Sequence, residues 1–480
     1  MQELIDYINS NKVSRNRLDG EIRDERNQRL PQRNAYVLLK KYAKYFFTEG
    51  LQPRMIALSG LRGVGKTTLM WQTANYVYNN HTTKIFFISV DDLNRLNATL
   101  YDVINVLEKH IFRCSLNELD SKVMLMIDEV HEAKDWHKDI KILYEKGKKL
   151  FVLTTGSSAL LLYSSSDLAS RWTLIKIFPF RFSEFILAKS WINNPDNILF
   201  PVKGLANKLK NALFYSSDYN EVKRIINFSQ KEINNYLIKS EKVIGETINT
   251  LIDEYVSYHN IARFLPLANK TLVVERVLAL FERILLKDIP QINQEYYEVY
   301  NRILFRIALS DEINFQTLAR DFRIKEADVE KIISTLHNAE ILNVFLPHGG
   351  IRSRTGGNQK AFFMSPSLRR SLYTRIYGNK LKEDLRAKLY EDILAMYIKR
   401  NLSEGVVSFG FGKKKNPDFI IETMDTPVLI EVGINKTSTI QIKSYSKYRY
   451  GIIINSKINE LKYDNLNRII FIPLSWVLLI

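Results

Sequence analysis

The chain has 480 residues, of which 46% are hydrophobic and 25% are charged, proportions close to those of ordinary globular proteins. At roughly 150 residues per domain the length predicts about three domains, and the composition excludes a mostly disordered chain, a collagen and a disulfide scaffold. The net charge of +17 favours an acidic partner such as nucleic acid, although a basic surface that only serves solubility would carry the same charge.

Three features predict the compartment in which the chain works. Its single cysteine, Cys114, cannot form an internal disulfide, which fits a reducing compartment. Residues 1–10 are polar and lack the basic start and apolar run of a signal peptide. The longest apolar stretch, residues 469–480, contains Pro473 and is too short to span a bilayer. We therefore expect a soluble cytoplasmic protein with no membrane partner.

The order of predicted elements changes along the chain. Residues 1–50 have the pattern of polar helices. From residue 55 to about residue 179, helical patterns alternate with short apolar runs that begin at residues 55, 84, 123, 150 and 173. Continuous apolar runs separated by helices predict a parallel sheet that is covered on both faces. Residues 182–290 then follow as helices, residues 297–375 as a helix-turn-helix with a β wing, and the remainder as mixed α and β.

A glycine-rich stretch after the first predicted strand fits the pattern GxxxxGK[ST]. Glycines let the backbone curl until successive N–H groups face phosphates, and the next helix adds its positive dipole. We expect Lys66 to reach the β and γ phosphates of ATP and the Thr67 hydroxyl to ligate Mg²⁺. The predicted phosphate-binding residues are Gly60, Leu61, Arg62, Gly63, Val64, Gly65, Lys66, Thr67 and Thr68.

An acidic pair, Asp128 and Glu129, ends the apolar run that begins at residue 123. The carboxyl end of a central parallel strand lies beside the phosphate loop, so Asp128 is expected to bind the magnesium ion. Glu129 would then orient and deprotonate the attacking water. The alternative for Glu129 is a solvated acid at the start of a helix.

Two further candidates lie near the next strands. Thr155, followed by Ser157 and Ser158, ends the run that begins at residue 150, and these hydroxyls would sense the γ-phosphate, hold the water or cap a helix. Arg171 precedes the fifth strand, where it would contact a phosphate in cis or from a neighbouring subunit, or form a surface ion pair.

Residues 128–162 and 170–186 resemble the archaeal-type, AAA+/STAND-related prokaryotic P-loop ATPases. The resemblance covers most of the chain and is most specific over residues 54–186. It implies an α/β fold with an ASCE-type parallel sheet, a helical lid, a winged helix and a C-terminal restriction-endonuclease-like α/β domain. It also implies magnesium on Asp128 and catalysis by Glu129. The domain boundaries we predict are a helical segment at 1–30, the ATPase core at 31–181, the lid at 182–296, the winged helix at 297–375 and the C-terminal domain at 376–480.

The winged-helix region consists of predicted helices at 315–321 and 326–336 and of wing strands at 341–346 and 360–364. The second helix begins with Glu326 and Asp328, which phosphates would repel, so base reading is disfavoured. Residues 341–382 contain no acid, and Arg352, Arg354 and Lys360 are candidate phosphate contacts. The alternative is a solvated basic loop.

The last domain contains Asp418 and, further on, Glu431, in a pattern that resembles the PD-(D/E)XK nuclease motif, and Glu391 fits the first acid of that fold. Three converging acids could hold a divalent metal against a phosphodiester. The lysine expected two residues after the last acid is absent, because Gly433 stands there. Either Lys436 or Lys443 could substitute, but we predict a degenerate domain without efficient cleavage.

Together these features predict a Mg²⁺-dependent ATPase that acts as a switch or motor with nucleic-acid-facing accessory domains. ATP would bind between the core and the helical lid, and hydrolysis would reset their orientation. Two alternatives remain open at this point: an ATP-gated nuclease in defence against foreign DNA, and a signalling scaffold that holds nucleotide without turnover. A protein partner or a homo-oligomer also remains open.

Overall fold

The structure is a computed structural model that describes residues 1–156, 171–288, 294–310, 312–354, 358–378, 382–410 and 416–480. The chain forms two compact units, Met1–Phe178 and Pro179–Ile480. Among the described residues, every helix is too short or too polar to cross a membrane. The finer division into five domains stays a prediction.

The first unit alternates helices and strands, as the apolar runs predict. Its helices are α1 (Gln2–Ser10), α2 (Arg15–Glu21), α3 (Asn34–Lys44), α4 (Lys66–Asn80), α5 (Val90–Arg95), α6 (Leu100–Val106) and α7 (Trp136–Lys146). Its strands are β1 (Met55–Ser59), β2 (Ile85–Ser89), β3 (Val123–Asp128), β4 (Leu150–Gly156) and β5 (Thr173–Lys176).

These five strands form one parallel sheet in the order β2-β3-β4-β1-β5. Strands β1 and β4 are buried along their whole length, as expected for strands covered on both faces. The predicted parallel sheet is therefore confirmed. Because β4 lies between β1 and β3, its carboxyl end separates the loop after β1 from the acidic pair at the end of β3.

Residues 17–31 contact helix α4 and strand β2 within this unit. The Arg17 guanidinium lies 5.1 Å from the Trp71 ring and 5.0 Å from the Phe87 ring, and the Gln72 amide donates to the carbonyls of Leu30 and Pro31. These contacts hold the segment that the sequence presents as a separate helical region against the phosphate-binding helix.

The second unit begins with helices and ends with a mixed sheet. Its helices are α8 (Phe182–Asn193), α9 (Leu205–Tyr215), α10 (Tyr219–Ile244), α11 (Ile248–Glu254), α12 (Lys270–Arg283), α13 (Gln294–Leu309), α14 (Phe315–Phe322), α15 (Glu326–Asn338), α16 (Ile351–Arg354), α17 (Pro366–Tyr377), α18 (Glu383–Asn401), α19 (Ile440–Lys443) and α20 (Leu474–Val477). Its strands are β6 (Glu312–Asn314), β7 (Leu342–Pro347), β8 (Asn358–Phe363), β9 (Val406–Phe409), β10 (Phe419–Glu422), β11 (Val428–Gly433), β12 (Tyr450–Asn455), β13 (Lys462–Asp464) and β14 (Ile469–Pro473).

A single nine-stranded sheet runs through this unit in the order β13-β14-β12-β11-β10-β9-β7-β8-β6. The helix pair α14–α15 and the antiparallel pair β7–β8, which we call the wing hairpin, lie within two residues of their predicted positions. The hairpin is not a free extension, because β7 pairs in parallel with β9 through Leu346–Ser408 and Pro347–Phe409. The wing hairpin and the C-terminal strands therefore share one sheet.

Candidate functional site

The phosphate loop has the backbone that its glycines predict. Gly60, Gly63 and Gly65 have φ angles of 152°, 85° and 94°, values in the region that side chains with a Cβ rarely adopt. A Cβ at position 60 would lie 2.2 Å from the carbonyl oxygen of Ile177, so this position also lacks room for a side chain. Helix α4 begins directly after Gly65, so its N-terminus faces the loop.

Lys66 is buried inside the loop. Its ammonium donates to the carbonyl of Gly60 at 2.9 Å and approaches that of Leu61 at 3.4 Å. The Lys66 charge is thus held at the loop by backbone carbonyls. Of the other predicted contacts, Leu61 and Val64 are buried, while Arg62 and Thr68 are partly exposed.

Asp128 ends strand β3 and contacts side chains of helix α4 and strand β4. The Thr67 hydroxyl on α4 lies 3.1 Å from its Oδ1, and the buried Thr155 hydroxyl at the end of β4 donates to the same oxygen. Burial raises the pKa of the Asp128 carboxyl above its ordinary value, and the hydrogen bond from Thr155 partly opposes this rise. A buried carboxylate beside a threonine hydroxyl and a phosphate loop is a suitable oxygen donor set for Mg²⁺.

Glu129 follows in a left-handed conformation, with φ of 53°. Its backbone N–H donates to the Thr155 hydroxyl at 2.9 Å, so one threonine holds both residues of the acidic pair. The His131 Nδ1 lies 3.5 Å from the Glu129 Oε2. Sequence reasoning assigned Thr155 to the γ-phosphate or the water and did not single out His131.

Arg171 contacts two residues of helix α7. Its guanidinium is 3.8 Å from the Glu145 carboxylate and 6.0 Å from the Tyr144 ring. This arrangement corresponds to the surface ion pair among the alternatives for this residue. The other two hydroxyls considered there, Ser157 and Ser158, lie outside the described residues.

Arg33 is a functional candidate that the sequence did not indicate. Its buried guanidinium donates to the carbonyl of Val64 at 2.6 Å and to that of Phe178 at 2.9 Å. It therefore fixes the centre of the phosphate loop to the segment after β5. A single arginine upstream of the first strand carries no motif, so only the three-dimensional contact identifies it.

The three candidate phosphate contacts of the wing hairpin differ in exposure. Arg352 is exposed, whereas Arg354 donates to the Glu422 carboxylate at 2.7 Å and to the carbonyl of Gly349 at 2.9 Å. Lys360 is buried, and its ammonium lies 3.2 Å from the Glu391 carboxylate. Glu422 lies on β10 and Glu391 on α18, and a basic sequence pattern reveals neither partner.

Glu391, Asp418 and Glu431, which we call the carboxylate cluster, come together at one place in the second unit. Glu431 lies on β11, and Asp418 directly precedes the adjacent strand β10 and accepts a hydrogen bond from the Val432 N–H at 2.9 Å. Burial and the nearby charge of Asp418 raise the pKa of the Glu431 carboxyl to about 8, and Glu391 contributes in the same direction. Asp418 and Glu391 thus both lie near enough to Glu431 to affect its pKa, and the sharing of one metal by the three acids stays a prediction.

Lys436 supplies a positive charge to this cluster. Its ammonium lies 2.5 Å from the Glu431 carboxylate, and its side chain covers Gly433, where an added Cβ would lie 3.4 Å from it. Lys443, the other substitute considered, lies 3.8 Å from Asp464 instead. Lys436 is thus the one of the two substitutes that lies at Glu431, and the degenerate site stays a prediction.

Comparison with known proteins finds similarity over part of the chain and over most of its length. Residues 52–186 match a family described as the AAA domain, which agrees with the parallel five-stranded sheet and the P-loop fold. An uncharacterized protein of Methanocaldococcus jannaschii is 26% identical over 458 residues, which cover 92% of this chain and 88% of the relative.

Similar solved structures include the Thermotoga maritima RuvB Holliday junction branch migration motor, at 16% identity and a TM-score of 0.29 over 65% of this chain and 89% of that one. Another is the Aeropyrum pernix ORC1 protein in complex with DNA, at 11% identity and a TM-score of 0.29 over 72% of this chain and 93% of that one.

Proposed function

We propose that the first unit binds ATP with Mg²⁺ and hydrolyses it. The observation that carries the proposal is the contact between the phosphate loop and the acidic pair, in which Thr67 and Thr155 both reach Asp128. The AAA domain match over residues 52–186 supports the same activity. A glycine-rich turn that served only packing would need neither a buried carboxylate nor a buried lysine beside it.

Each residue has a distinct part in this reaction. Lys66 and the loop N–H groups would hold the β and γ phosphates, and Thr67 and Asp128 would hold the metal, which neutralises charge developing on the phosphate oxygens. Glu129 would orient the attacking water and accept its proton. Thr155 would act by fixing the positions of Asp128 and Glu129.

Two substitutions test the ATPase assignment. Lys66→Ala should abolish nucleotide binding, because the phosphates lose a buried positive charge. Glu129→Gln should bind ATP but stop turnover, because only the proton acceptor is removed. Binding is measured with a fluorescent nucleotide and turnover as phosphate release, with Lys41→Ala, an exposed lysine on α3, as the matched control. Hydrolysis at the wild-type rate by both variants would contradict the assignment.

We also propose that nucleic acid is the partner of the second unit. The support is the net charge of +17 and the exposed Arg352 on the segment between β7 and β8. Arg354 and Lys360 would not contact phosphate directly, because both have carboxylate partners. The helix α15 begins with acidic residues, so the contacts would follow the phosphate backbone rather than base edges.

A second candidate function, cleavage of a phosphodiester at the carboxylate cluster, is favoured by the position of Lys436. The Glu431 carboxyl is buried and lies near Asp418 and Glu391, and these three groups would be the oxygen ligands of a divalent metal. A metal bound there would activate water, while the Lys436 ammonium would stabilise charge developing on the phosphate. Without Lys436, the glycine at position 433 would leave the developing negative charge on the phosphate without a nearby ammonium.

Incubation of the whole protein with plasmid and with single-stranded DNA and RNA, in Mg²⁺ or Mn²⁺, tests this candidate. Cleavage should disappear in Asp418→Asn and Lys436→Met, persist in the control Lys443→Met, and persist in Glu129→Gln if it does not need ATP turnover. An intact substrate with the wild-type protein under all these conditions would support the degenerate domain that the sequence predicts.

A further inference from the structure

A second group of metal-ligand side chains lies next to the ATPase site and is distinct from the magnesium position. Glu129, His131 and Glu132 each offer one ligand atom, and these three atoms all lie within 4.8 Å of one another. The His131 side chain is only 2% exposed, and its Nδ1 lies 3.5 Å from the Glu129 Oε2. The three residues therefore form a compact N/O donor set.

The local backbone explains why three residues so close in sequence converge. Val130–Glu132 form a 3₁₀ turn that starts directly after Glu129. The Glu132 N–H donates to the Glu129 carbonyl at 2.9 Å, which closes the turn between these two residues. Glu129 itself has a left-handed backbone, and the His131 Nδ1 lies 3.5 Å from its Oε2.

The chemistry of this donor set differs from that of the magnesium position. Magnesium prefers oxygen ligands, and Thr67 with Asp128 provides them. An imidazole with two carboxylates suits a borderline transition metal such as Zn²⁺, and three protein ligands leave a fourth position for water.

We propose that Glu129, His131 and Glu132 bind Zn²⁺ or a similar transition-metal ion, and that this ion inhibits ATP hydrolysis by occupying the Glu129 carboxylate. The inhibitory part rests on the proposed ATPase function, because only there does Glu129 accept a proton from water. A bound ion would remove that acceptor without touching the phosphate loop, so nucleotide binding would persist.

Metal binding is measured first, with the nucleotide-free whole protein and Co²⁺ as a spectroscopic probe, followed by displacement with Zn²⁺. The visible absorption of tetrahedral Co²⁺ should appear at one equivalent, and His131→Ala and Glu132→Gln should each weaken binding at least tenfold. His137→Ala, an exposed histidine on α7, should leave binding unchanged. Glu132→Gln preserves side-chain volume, so it tests the site even if His131→Ala fails to fold. No Co²⁺ or Zn²⁺ binding at 100 µM, or equal binding by wild type and Glu132→Gln, would overturn the proposal.

Inhibition is measured separately as phosphate release with Mg²⁺ and ATP in the millimolar range and Zn²⁺ in the micromolar range. Zn²⁺ should reduce turnover at least fivefold in the wild type and in His137→Ala, and a chelator should restore it. Wild-type turnover that is insensitive to Zn²⁺ under conditions where the ion binds would overturn the inhibitory role. A protein that binds Zn²⁺ but hydrolyses no ATP even without it would instead contradict the proposed function, and the metal site would stand on the binding result.

Discussion

Replacing Thr155 by valine should weaken the use of Mg²⁺ by the ATPase without changing the shape of the sheet. Valine has nearly the volume of threonine, and position 155 is fully buried at the end of β4. The substitution removes the hydroxyl that donates to Asp128 and accepts from the Glu129 N–H. Because no water can replace a hydroxyl at a fully buried position, both partners lose that hydrogen bond.

The magnitude follows from these two bonds. A hydrogen bond to a charged group contributes about 1.5–3 kcal/mol, so the apparent affinity for Mg²⁺ should fall by about tenfold to a hundredfold. The Thr155 donor also lowers the pKa of Asp128, which burial raises. In Thr155→Val that pKa should rise further, so the fall of activity towards acidic pH should begin at a higher pH than in the wild type. Raising the pH should partly restore activity.

The assay is phosphate release as a function of Mg²⁺ concentration at several pH values. The matched control is Thr154→Val, because the neighbouring Thr154 is equally buried. Its hydroxyl makes a single long contact, at 3.5 Å, with the carbonyl of Ile56. Thr155→Ser keeps the hydroxyl and should retain most of the activity. An unchanged Mg²⁺ dependence with slower turnover in Thr155→Val would refute this reasoning and favour direct sensing of the γ-phosphate.

Three further outcomes are expected. Arg33→Leu should raise the KM for ATP about tenfold, since the loop loses a charged donor to the Val64 carbonyl, and steady-state kinetics will show whether it does. Arg352→Ala should weaken nucleic-acid binding and reduce its salt slope by about one, whereas Lys360→Met should leave the slope unchanged, and filter binding at two salt concentrations compares them. Because the folded state raises the pKa of Glu431 to about 8, it binds more protons than the unfolded chain between about pH 4.5 and pH 8. Stability should therefore fall as the pH rises through that window, and Glu431→Gln should reduce this fall in urea unfolding at pH 6 and pH 8.

Much of the proposed ATPase site could be predicted from the sequence because its motifs are local. The phosphate loop needs glycines at fixed spacing in one short segment, and strand β1 and helix α4 on either side have clear apolar patterns. The acidic pair at the end of β3 follows the same logic, since a buried strand ends where its apolar run ends. The helix pair and the wing hairpin were predictable for the same reason.

The contacts of the basic residues could not be predicted in this way. Arg354 and Lys360 lie in a stretch without acids, yet their partners, Glu422 and Glu391, come from later parts of the chain. Glu422 lies on β10 and Glu391 on α18, and both elements follow the wing hairpin in the chain. A count of charges within a segment cannot anticipate partners that only the tertiary structure supplies.

The sequence by itself determined the phosphate-loop motif and the acidic pair that we propose for phosphate and metal, because each lies next to a strand or helix that its own neighbours specify. Only the tertiary structure decided which side chain completes each site: Thr155 reaches Asp128 because β4 lies between β1 and β3, and Lys436 rather than Lys443 lies at Glu431. The Thr155 contact depends on where separate segments meet in space, and that meeting is set by burying the strands of the sheet together rather than by any short pattern.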